Sequence, residues 1–142
     1  MSQELYHPLI LEHNQKPAHF GKMDDPDFEI SCINPLCGDS FTIYFKLEGE
    51  SIQEVKFHGY GCAVSKASAS ALMLALEGKT WKEIPDIIQQ FIQVVTETGE
   101  PSNKLLQALA NVRQFPERME CVRLVWDELE QQWDSASLGP TK

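Results

Sequence analysis

Residues 40–50, SFTIYFKLEGE, decide the fold. Phe41, Ile43, Phe45 and Leu47 alternate with Thr42, Tyr44 and Lys46, the period of two that a half-buried strand requires. Gly49 supplies a turn, and SIQEVKFHG at 51–59 reads as the hairpin partner. Upstream, FEISCI at 28–33 has the β-branched and aromatic character of a third strand. The expected sheet is small, three-stranded and antiparallel.

Outside this sheet the pattern is helical. Residues 5–14 suit a helix, with Pro8 tolerated only in a first turn, which leaves the exact start open. After Gly61, CAVSKASASALMLALEG is a small-residue helix with Gly78 in the C-cap position. Thr80 and Glu83 form a capping box, Pro85 restarts the helix, and Ile88, Phe91, Ile92 and Val95 carry it on to Gly99. Ser102 suits an N-cap for NKLLQALANV, with Leu105, Leu106, Leu109 and Val112 on one face. Pro116 opens the last helix, whose stripe is Cys121, Val125, Leu129 and Trp133. The fold class is therefore α+β, a three-stranded sheet against a layer of about five helices. Residues 1–134 form one domain and 135–142 a disordered tail.

Composition bounds the function. A chain of 142 residues, 42% hydrophobic, builds one core. A net charge of -9 disfavours nucleic acid and anionic membrane surfaces as partners. No apolar run approaches the ~20 residues that cross a bilayer, and MSQELYHPL lacks the basic start of a signal peptide, so a cytoplasmic location is expected. In that reducing compartment, Cys32, Cys37, Cys62 and Cys121 argue for metal binding or reactivity before disulfides.

Three of the cysteines stand where chemistry can use them. Cys37 and Asp39 occupy the turn NPLCGDS between strands, Cys62 sits at a strand–helix junction, and Cys121 lies early in a helix. A helix N-terminus favours a thiolate at Cys62, and Arg118, one turn before Cys121, adds a cation. Three thiolates and a carboxylate suit tetrahedral Zn²⁺ and exclude Mg²⁺ and Ca²⁺. There is no CxxC pair, however, and Cys121 on its apolar stripe equally suits plain core. Asp39 equally suits an Asx-turn. Cys32, inside a strand pattern, reads as structural. His58 lies near enough in sequence to Cys62 for a Cys–His pair, but no orienting third group is evident. His7, His13 and His19 read as helix-surface and loop residues. GYGCAV has neither the Walker lysine nor a dinucleotide fingerprint.

Taken as a set, NPLCGD, GYGCAVSKASASAL and FPERMECVRLVW, with LILEH near the N-terminus, closely resemble the family of IscU, the NifU N-terminal domain and SufU over residues 4–133. The resemblance implies the same α+β fold and a metal site of Cys37, Asp39, Cys62 and Cys121. IscU-type scaffolds resemble one another in a histidine just before the last cysteine; here that position is Glu120. The long stretch between Cys62 and Cys121, holding NKLLQALANV, resembles the SufU-type insertion. What this implies is a zinc-dependent sulfurtransferase that takes persulfide sulfur from a SufS-type, pyridoxal-phosphate-dependent cysteine desulfurase and passes it to downstream iron–sulfur assembly proteins. In that picture a desulfurase residue replaces Cys37 on the zinc, freeing it to attack the persulfide, and Arg118 stabilises the thiolates. Ser40 and Glu120 depart from the more basic SufU pattern at positions that are not ligands. Two alternatives stay open: a scaffold binding iron or a nascent 2Fe-2S cluster at the same residues, and a structural zinc domain that docks partners.

Overall fold

The structure, a computed structural model, describes residues 8–34, 38–96 and 104–136. Strands β1 (Phe28–Asn34), β2 (Asp39–Glu48) and β3 (Ser51–Tyr60) form an antiparallel sheet in the order β1-β2-β3. Ile43 lies opposite Ile30 on one side and Phe57 on the other, so the apolar positions of all three strands share a face. Ile30, Cys32, Phe41, Ile43, Phe45, Val55 and Phe57 are buried there. Gly49, at φ 61°, makes the hairpin turn, and the register slips between Lys46 and Leu47. One pairing has no sequence signature: His19 O accepts from Phe57 N–H at 3.1 Å and Gly21 N–H donates to Phe57 O at 2.8 Å, laying residues 19–21 along the outer edge of β3.

The α-helices among the described residues are α1 (Pro8–Gln15), α2 (Ala63–Leu76), α3 (Ile84–Thr96), α4 (Lys104–Ala110) and α5 (Met119–Ala136). Pro8 occupies the first helical position of α1, where its missing N–H costs nothing. Helix α2 is the central one, packed against α1, α5 and β3. Burial runs nearly all the way round it, through serines and alanines in its first half and the larger Leu72, Met73 and Leu76 in its second. The buried serines are satisfied across elements. Ser68 Oγ donates to Val122 O and accepts from Trp126 Nε1 at 2.9 Å. Ser70 Oγ accepts from Ala18 N–H at 2.8 Å and pairs with His13 Nδ1 at 2.8 Å. His13 is therefore a bridge between α1 and α2, not the surface residue expected.

Gly78 at φ 75° follows the end of α2, and Glu83 accepts from Thr80 N–H at 3.0 Å where the box was expected. A 3₁₀ turn over Trp81–Glu83 then leads into α3. Helix α4 tightens into a 3₁₀ turn at Asn111–Gln114 and breaks at Phe115, which precedes Pro116 and is held out of the helical region (φ −125°, ψ 77°). Pro116 thus opens a separate 3₁₀ turn, Pro116–Arg118, and not the last helix itself. Helix α5 extends to Ala136, two residues past the domain boundary drawn at 134. Its stripe of Cys121, Val125, Leu129 and Trp133 is buried, together with Trp126, which stacks flat on Phe91 at 3.6 Å. Gly99, Ser102, His7 and residues 137–142 lie outside the described residues.

Candidate metal centre

The site begins where β1 turns into β2. Gly38, at φ 75°, donates its N–H to Asn34 O at 2.9 Å, and Asp39 follows as the first residue of β2. Asp39 is 1% exposed. Its Oδ1 accepts from Cys62 N–H at 3.0 Å, whereas Oδ2, equally buried, has no hydrogen-bond partner among the described residues. A buried carboxylate oxygen left bare costs free energy unless something positive meets it.

Cys62 is the N-cap of α2, in extended conformation (φ −72°, ψ 168°), so its Sγ turns back over the first turn and accepts from Ser65 N–H at 3.4 Å. Cys121 stands in the first turn of α5, 1% exposed. The ligand-type atoms of Asp39, Cys62 and Cys121 all lie within 4.8 Å of one another. Hydrogen bonding with Cys121, joined by the Ser65 hydroxyl and N–H, pulls the Cys62 thiol down to about 5, against burial and the Asp39 charge, which push it up. Gly61 makes the close approach possible, because a Cβ there would meet Asp39 Oδ1 at 2.7 Å, Ser65 Oγ at 2.7 Å and Phe41 Cζ at 2.8 Å.

Three converging donors, two sulfur and one oxygen, with a bare buried carboxylate oxygen among them, fit a thiophilic cation such as zinc or iron and not Mg²⁺ or Ca²⁺. Cys37 lies outside the described residues. Arg118 ends the 3₁₀ turn that leads into α5, half-buried, with its N–H bonded to Phe115 O at 2.7 Å. His58 does not join the cluster; its ring packs on Phe20 at 5.0 Å. Cys32 faces the core, where burial pushes its thiol up to about 12. Ser65 and Gly61 were not singled out from sequence. The available signal was a serine three residues after a cysteine that opens a helix, the spacing of an N-cap and its partner.

An α+β domain carrying a sulfur-rich site at the junction of a sheet turn and two helix starts defines the class. The chain belongs to the NifU-like N terminal domain family, which it matches over residues 5–132. It is 33% identical over 129 residues to the zinc-dependent sulfurtransferase SufU of Bacillus subtilis, covering 89% of this chain and 87% of that protein. It is 32% identical over 130 residues to the iron–sulfur cluster assembly scaffold protein IscU of Streptococcus pyogenes, covering 89% and 81%. Among solved structures, FiSufU of Fervidobacterium islandicum AW-1, named as a candidate scaffold protein for the SUF system, superposes with a TM-score of 0.80 at 28% identity, covering 92% of this chain and 97% of that one. The N-terminal NifU-like domain from Brucella abortus shares the fold, with a TM-score of 0.76.

Proposed function

We propose that this chain is a zinc-dependent sulfur acceptor, taking persulfide sulfur from a pyridoxal-phosphate-dependent cysteine desulfurase and handing it to iron–sulfur cluster assembly. The observation that carries the reading is the donor set: sulfur and carboxylate without a histidine nitrogen among the described residues, and Glu120 exposed where a scaffold's histidine would precede Cys121. The insertion that contains α4 and the SufU relative point the same way.

Asp39, Cys62 and Cys121, with Cys37, would hold the metal. Bound zinc would keep these thiolates deprotonated at neutral pH without redox chemistry of its own. Cys37 is the acceptor. Its thiolate attacks the terminal sulfur of the desulfurase persulfide; a new S–S bond forms on Cys37, the donor's S–S bond breaks, and the donor cysteine leaves as a thiolate, with no net oxidation. Arg118 supplies positive charge beside Cys121 and stabilises the anionic sulfurs.

The test is alanine production by a SufS-type desulfurase, anaerobic and without reductant, with and without the zinc-loaded protein. A large rise that vanishes in Cys37→Ala supports sulfur acceptance at that thiol; no rise overturns it. In Arg118→Ala the rise should shrink at unchanged zinc content, and undiminished transfer removes Arg118 from the reaction. The scaffold reading is favoured by the Streptococcus relative. It predicts instead bound iron, labile sulfide and visible charge-transfer absorption after reconstitution.

A further inference from the structure

Ser65 lies outside the donor set, yet it meets the Cys62 sulfur with both its backbone N–H and its hydroxyl. It is 1% exposed, one turn into α2, and approaches Cys62 three times. Its N–H donates to Sγ at 3.4 Å, its Oγ lies 3.5 Å from Sγ, and its hydroxyl donates to the Cys62 carbonyl at 3.1 Å. Gly61, by lacking a Cβ, leaves the narrow space in which Ser65 Oγ and Asp39 Oδ1 stand side by side.

These contacts differ in what they need from Cys62. A protonated thiol donates to Ser65 Oγ, and the hydroxyl hydrogen then goes to the carbonyl. A sulfur bound to a cation has no proton to donate, and the hydroxyl, free to rotate about its C–O bond, can turn its hydrogen to that sulfur. Together with the fixed N–H, a ligating Cys62 then receives two hydrogen bonds from one residue. Hydrogen bonds to a ligand sulfur withdraw electron density, fix its orientation and retain the metal.

We infer that Ser65 is a positioning residue which holds the Cys62 sulfur in its ligating orientation and makes it a retained ligand, so that transferred sulfur goes elsewhere. This rests on the metal-site reading above. It also assigns Asp39 to the same frame: with Oδ1 bound to the Cys62 N–H, Oδ2 remains as the oxygen for the cation.

The experiment compares the full-length chain with Ser65→Ala and Cys62→Ala. Zinc affinity is measured by chelator competition, the sulfur-to-metal charge-transfer band by cobalt substitution, and folding by circular dichroism. Ser65→Ala keeps the N–H and loses only the hydroxyl. It should stay folded, bind zinc about 10–100-fold more weakly, and shift the cobalt band to longer wavelength as the sulfur regains electron density. A folded Ser65→Ala protein with unchanged affinity and band overturns the inference while leaving the site intact. Binding that is equally strong in Cys62→Ala, or absent in the unaltered chain, overturns the site and the inference together. Should Ser65→Ala fold poorly, Ser65→Thr retains a hydroxyl; it should keep the unshifted cobalt band, and a shifted band there counts against the role.

Discussion

Cys32 and Cys62 are the same residue type driven in opposite directions by their surroundings. Cys62 is held down by donors, while burial, aided by the charge of Glu128, lifts the Cys32 thiol from 9.0 to about 12. Between those two values the unfolded chain sheds a proton that the folded chain keeps. The contribution of Cys32 is thus intact below pH 9.0 and declines as pH rises toward 12, by at most ~1.4 kcal/mol per pH unit. In Cys32→Ala, denaturant midpoints between pH 9 and 11 should fall less steeply than in the parent chain, on top of a pH-independent loss of about 1 kcal/mol for the small cavity; parallel slopes would refute this. Gly61→Ala places a methyl group against Asp39, Ser65 and Phe41. It should cost ~1–3 kcal/mol by overpacking and weaken zinc binding, measured by the same competition, in a chain that still folds. At this scale the donor types are legible in NPLCGD, GYGC and MEC, but that Asp39, Cys62 and Cys121 meet is implied only by the family resemblance, because sequence spacing carries no distance between separate elements.

Element by element, what the sequence discloses depends on whether periodicity or pairing determines the structure. The strands are legible because each buries alternate residues of the FEISCI, SFTIYF and QEVKF patterns. The stripe of α5 is legible for the same reason, with a period of 3.6 in place of two. The placement of residues 19–21 beside β3 is not, since backbone groups alone make it. Nor is the partnering of the α2 serines, which read as small-residue filler until α5 and α1 are set against them. Ser68 is where this matters for stability. Ser68→Ala leaves the buried Trp126 indole N–H without its acceptor and removes the side-chain donor to Val122 O, a loss of ~1–3 kcal/mol readable as a lower midpoint in urea. Ser70→Ala, at the half-buried junction with His13 and Ala18, should cost less.

For the molecule as a whole, the three described donors belong to β2, the start of α2 and the start of α5, so a bound cation would tie the sheet to both of these helices. Such binding stabilises the native state in proportion to the logarithm of free metal. At a hundredfold excess over Kd the gain is about 2.7 kcal/mol, or roughly 5–10 °C in Tm for a chain of this size. Chelation should remove that increment in the parent chain and none of it in Cys121→Ala, as followed by calorimetry. The strand pairing at residues 19–21 has a further consequence when set beside α5. One flank of the sheet is lined by that segment, and at the other Gln132 Nε2 donates to Ser31 O at 2.8 Å, occupying a carbonyl of β1. At Phe57 and Ser31 the outward backbone groups are already engaged, which discourages another strand from pairing at those points. A strand from another chain thus meets an occupied position near the middle of each outer strand, a local safeguard against edge-to-edge aggregation.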